Sequence, residues 1–175
     1  MDDSFFIYIE RLELLLFFSG YPSIYLLIFV IAENNLAKKT FKKNIVMWLP
    51  YAYALVGVLY MGFLLNSFYP DYSFSHISTT TKIPALKIWG LLSILFFIPW
   101  FAKKRVCSLL HSFGFIFFIL HDLYFYVFGS LDKSVLKNDM NLYTYSLLIN
   151  ITAFLFVLAI ASLYSKLQRK KYAVK

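Results

Sequence analysis

The chain has 175 residues, of which 61% are hydrophobic, 21% aromatic and only 15% charged. A soluble domain carries about a quarter charged residues, so an ordinary soluble fold is excluded. The net charge of +8 does not indicate nucleic acid, because the cations gather at the ends of apolar runs and form no basic stripe on a soluble surface.

Five apolar runs are long enough to cross a bilayer, which takes about 20 helical residues. The expected fold is therefore all-α: a polytopic membrane helical bundle with five transmembrane helices, forming a single transmembrane domain over residues 1–175. The N-terminus opens MDDSFF and lacks the basic segment of a signal peptide, so it is expected to be retained. Phe5, Ile9, Leu12 and Leu16 follow helical spacing, which predicts a short interfacial lead-in. The first span is predicted over residues 12–32. Ser19-Gly20-Tyr21-Pro22 interrupts it, and Pro22 should kink or break the helix. If that stretch fails to cross, four helices remain and both termini lie inside.

The second span is predicted over residues 44–66, entered through Trp48 and Pro50, and the third over 83–101, with Pro99 near its end. Only residues 102–105 separate it from the fourth, over 106–128, so these two should form a tight antiparallel hairpin. The fifth is predicted over 142–164.

Twelve of the 17 Lys and Arg fall in three clusters: Lys38, Lys39, Lys42 and Lys43; Lys103, Lys104 and Arg105; and Lys166, Arg169, Lys170, Lys171 and Lys175. They occupy alternate connections. Cytoplasmic loops collect Lys and Arg, so the pattern places the N-terminus outside and the C-terminus inside. Trp48 and Trp100 then fall at the inner interface, and Tyr69, Tyr72, Tyr143 and Tyr145 at the outer one. Lys outnumbers Arg 14 to 3, and Phe and Tyr are abundant. That skew fits an AT-rich coding sequence and a bacterial cytoplasmic (inner) membrane.

Ionisable groups inside a span cost free energy and are functional candidates by default. Five polar side chains fall in the outer half: Glu13, Lys87, His121, Asp122 and Asn150. They form either a polar cavity open to the outside, able to take a cation, a proton or a small polar ligand, or a set of ion pairs and hydrogen bonds that hold helices together. Asp122 is expected to pair with Lys87, with Glu13 competing and Asn150 donating hydrogen bonds.

His111 and Asp122 share a helix face, but about 16 Å apart and with Phe115 and Phe118 between them, which argues against a proton path. His111 and His121 are ten residues apart on one helix and cannot share a metal ion, so no cofactor or metal is expected. Ser108 and Ser112, four apart, predict close helix packing rather than nucleophiles. The lone cysteine, Cys107, allows no internal disulfide and no paired-cysteine redox or zinc site. No HExxH, GxSxG or P-loop is present.

The expected function is a non-enzymatic subunit or assembly partner of a membrane complex, its partners being the lipid bilayer and another membrane protein or a second copy. A minimal channel or transporter using the outer polar cluster, alone or as an oligomer, is the alternative. A membrane enzyme acting on a lipid or quinone comes third, because few polar side chains converge.

Overall fold

The computed structural model describes residues 3–34, 39–129 and 132–173. Of the residues that carry the charge pattern, Asp2, Lys38 and Lys175 lie outside the described residues, as do residues 35–38 and 130–131 of two predicted connections. Among the described residues the chain is helical throughout, with no strand: α1 (Asp3–Phe18), α2 (Tyr21–Asn34), α3 (Lys39–Ser67), α4 (Phe74–Thr80), α5 (Pro84–Leu91), a 3₁₀ segment (Leu92–Phe97), α6 (Pro99–Lys103), α7 (Arg105–Phe128) and α8 (Lys133–Ala173). Four stretches are long and apolar enough to cross a membrane: Phe5–Ile31, Ile45–Ser67, Val106–Phe128 and Lys133–Leu167. A fifth exists only if the bent pair Phe74–Thr80 and Pro84–Phe97, which turns by 108°, counts as one span.

The first apolar stretch runs through the middle of the bundle. Its helices touch α3, α7 and α8, and α3, α8, α7 and the α5–α6 region close a ring around it. The first stretch and α3 are the most buried, at 56% and 50% of their most apolar windows, against 28% in α7 and 22% in α8. Leu14, Phe18, Tyr21, Tyr53, Tyr60 and Phe115 form the aromatic-rich core.

The interruption at Ser19–Gly20 is real but mild. Pro22 is the second residue of α2, where its missing N–H would have had no helical partner. Neighbours satisfy the break. Asn150 on α8 donates its amide to the Phe17 carbonyl (2.8 Å), and the Gly20 N–H donates to Ser146 Oγ (2.9 Å). A Cβ on Gly20 would lie 2.6 Å from the Leu147 nitrogen, so this approach of two backbones requires glycine.

The third predicted span is not one helix. Pro84 opens α5 and Pro99 opens α6, both in the first turn. The residue before a proline is driven out of the α region. Ile98 is accordingly extended (φ −71°, ψ 124°), and the six residues before it tighten into 3₁₀. This segment lies along α3. Against α7, the Trp89 ring stacks on His111 (4.6 Å, planes 9° apart) and its indole N–H donates to the His111 carbonyl (3.3 Å). The α8 helix has 41 residues and begins nine residues before the predicted start of the fifth span.

Candidate functional site

The polar residues of the bundle gather where α1, α7 and α8 lie near one end. Glu10 and Arg11 are eight to nine residues into α1, while Asp122 and Asp139 each lie six residues from a helix end, roughly 9 Å along the axis. Adjacent residues on a helix point about 100° apart, so Glu10 and Arg11 face different neighbours, while Glu13 shares the side of Glu10. Two ionic clusters result, one on each side of α1.

In the first cluster the buried Glu10 carboxylate accepts the backbone N–H of Lys82 (2.9 and 3.1 Å) and of Ile83 (2.8 Å). Ile83 is the N-cap of α5 and has no side-chain cap of its own. Glu10 thus supplies from α1 the acceptor and the negative charge that a helix N-terminus favours. One turn into α5, Lys87 is 7% exposed and places Nζ 3.1 Å from Glu10 and 4.0 Å from Glu13. Its ammonium also lies 5.7 Å from the centre of the Phe68 ring. Lys87 forms part of the wall of a cavity of about 320 Å³, otherwise mostly apolar, between α3, α4 and α5. The Tyr60 hydroxyl and Glu13 Oε2 are buried without a hydrogen-bond partner.

In the second cluster the Arg11 guanidinium meets Asp122 through both terminal nitrogens, Nη1 to Oδ1 at 3.3 Å and Nη2 to Oδ2. Nη2 also reaches Asp139 Oδ2 at 3.4 Å. His121 Nδ1 lies 2.9 Å from Asp122 Oδ1. Asp139 is fully buried and its Oδ1 has no donor. The Tyr8 and Phe118 rings flank the guanidinium at 5.5 and 5.9 Å.

The five residues singled out from the sequence therefore fall in three places. Glu13 and Lys87 are in the first cluster, and His121 and Asp122 in the second. Asn150 lies deeper, spanning Phe17 and the Ser146 carbonyl (2.9 Å). The expected Asp122–Lys87 pair does not form, because α1 lies between their helices and supplies a separate partner to each: Glu10 to Lys87 and Arg11 to Asp122. Glu10, Arg11 and Asp139 belong to the clusters but fell outside the predicted spans.

Beyond the clusters an aromatic layer closes the interior, with Phe18 stacked on Phe115 at 4.7 Å. Past it, the Tyr53 hydroxyl and His111 Nδ1 share a hydrogen bond (2.7 Å), as do the Tyr21 and Ser108 hydroxyls (2.9 Å). Ser112 donates to the Leu109 carbonyl (2.8 Å). Both serines are thus engaged in packing contacts. Outside the spans, the Ser73 N–H (2.8 Å) and hydroxyl (3.1 Å) hold the exposed Asp71 carboxyl below the usual carboxylate range.

Compared with family models, with curated proteins and with solved structures, the chain matches none.

Proposed function

We propose that this protein crosses the bacterial cytoplasmic membrane five times, N-terminus outside and C-terminus inside, and serves as a non-enzymatic subunit or assembly partner of a membrane complex. The alternating Lys and Arg clusters support the orientation. The five-crossing count takes the bent pair Phe74–Thr80 and Pro84–Phe97 as one span, crossing with a bend of 108°. One observation carries the subunit reading: the ionic groups turn inward and meet within the chain, while α7 and α8 leave long apolar faces uncovered. Leu155, Phe156, Ile160 and Leu163 of α8 are all more than half exposed. A face of this kind is suited to lipid and to another helix, and offers no converging reactive groups. Photo-cross-linkers placed at Leu155 and Ile160 in intact membranes test the proposal. A discrete protein adduct, to itself or to another membrane protein, is expected. Lipid adducts alone at every outward position of α7 and α8 would overturn it.

A second reading, a minimal channel or transporter, is favoured by the charge balance. Four acidic side chains (Glu10, Glu13, Asp122 and Asp139) face two basic ones, Arg11 and Lys87. The Phe18–Phe115 layer weighs against it, because a conduction path would have to pass those stacked rings. Ion or proton flux into liposomes carrying the purified chain would establish this reading over the first.

A further inference from the structure

We propose that Asp122 and Asp139 bind one exchangeable proton between α7 and α8. The geometry that carries this is a shortage of donors. Asp122 is 3% exposed and Asp139 is 0% exposed. One guanidinium serves both. It is committed to Asp122 through two nitrogens and touches Asp139 only at a long 3.4 Å. Asp139 Oδ1 is buried with no donor at all. Both carboxyl groups lie against the same guanidinium nitrogen, Nη2, which bonds Asp122 Oδ2 and stands 3.4 Å from Asp139 Oδ2. Two carboxylates gathered around one donor repel when both are ionised, and a proton on the pair removes that repulsion.

The other groups facing the pair fix how the proton is exchanged. From α1 come the Arg11 guanidinium and the Tyr8 ring beside it. From α7 comes His121, whose side chain is 48% exposed and whose Nδ1 meets Asp122. From α8 comes Asn138, which precedes Asp139 and donates to the Tyr8 hydroxyl (3.2 Å). With Arg11 and two ionised aspartates the cluster carries one net negative charge. A single proton held by the aspartate pair neutralises it. His121 lies on the exposed side of that buried pair. An open cavity of about 470 Å³ has Tyr8 and Asn138 in its wall.

Infrared difference spectra of the full chain in lipid nanodiscs, acid minus neutral pH, test the proposal. The carbonyl band of a protonated carboxylic acid is expected. It should shift when the protein is grown with carboxyl-labelled (¹³C) aspartate, a readout that needs no variant. It should vanish in Asp139→Asn, where an amide takes the place of the proton, and persist in Glu13→Gln. A band that ignores the aspartate label would overturn the proposal, and so would the absence of any band. Loss of the band in Glu13→Gln, with retention in Asp139→Asn, would overturn it too and move the proton to the first cluster.

Discussion

Asn150 on α8 donates its side-chain amide to the main-chain carbonyl of Phe17, 2.8 Å away, where the central helix is interrupted. The same amide reaches the carbonyl of Ser146 one turn back (2.9 Å). One side chain thus fastens the longest helix to the weakest point of the most buried one. Replacing it by Leu, of similar size, should lower stability by about 1–2 kcal/mol, the range for an interhelical hydrogen bond in a membrane. Thermal unfolding in mild detergent would show this as a lowered midpoint. An unchanged midpoint would mean that the Phe17 carbonyl does not need this donor.

Gly20 and Gly62 form a matched pair of opposite prediction. At Gly20 an added methyl would meet backbone atoms of Ser146 and Leu147 at 2.6–2.9 Å, which no rotamer change can relieve. Gly20→Ala should cost on the order of 2–3 kcal/mol, at the upper end for overpacking. At Gly62 nothing lies within 4 Å of the same methyl. Gly62→Ala should be neutral or stabilising by up to about 1 kcal/mol. The two variants can be compared in one denaturation series, and equal midpoints would contradict the close α1–α8 approach.

Removing Glu10 should do more damage than removing Lys87's charge together with it. Glu10→Ala strands a buried ammonium and two backbone N–H groups at the start of α5, a loss of about 3–5 kcal/mol by analogy with broken buried pairs. Lys87→Met alone leaves two carboxylates without their cation. In the double variant the ionic part of the loss should be recovered, so it should lose less than the sum of the two single losses. Additive penalties from a double-mutant cycle would show that Glu10 acts only as a cap for α5.

The orientation predicts an accessibility pattern. In a Cys107→Ser background, a cysteine inserted after Met1 should react with an impermeant maleimide in intact cells. One added after Lys175 should react only once the membrane is permeabilised. The reverse pattern would overturn the orientation, and protection of both termini would reject the five-crossing arrangement.

The helical character and the apolar stretches of this chain could be read from composition and run length, because a bilayer imposes both directly. The ionic partners could not be read the same way, and the reason is where helices begin. Hydropathy marks the apolar part of a helix and not its ends. The α1 helix starts at Asp3 and α8 at Lys133, each nine residues before the apolar run that announces it. Glu10 and Arg11 sit in the third turn of α1 and Asp139 in the second turn of α8. In sequence they read as an interfacial lead-in and a loop, yet continuous helix carries them into the bundle. The usable signal was the i, i+3 spacing of Glu10 and Glu13, together with the helical stripe from Phe5. The third predicted span failed for a different reason. Pro84 and Pro99 bracket it, and each prescribes the start of a helix rather than a kink within one.

A 3₁₀ turn is longer and narrower than an α turn. Leu92–Phe97 covers about 12 Å as 3₁₀ and would cover about 9 Å as α-helix. The extended Ile98 already uncouples α6 from this segment, so α6 would move with any such change largely as a unit. That unit carries Trp100, whose ring lies 4.2 Å from the Lys104 ammonium, and Lys103 beside it. These are the side chains that anchor a protein at the membrane–water boundary. Drawn as 3₁₀ rather than α-helix, six residues therefore carry Trp100 and Lys103 about 3 Å farther along the chain axis, a length comparable to the difference in hydrocarbon thickness between natural membranes.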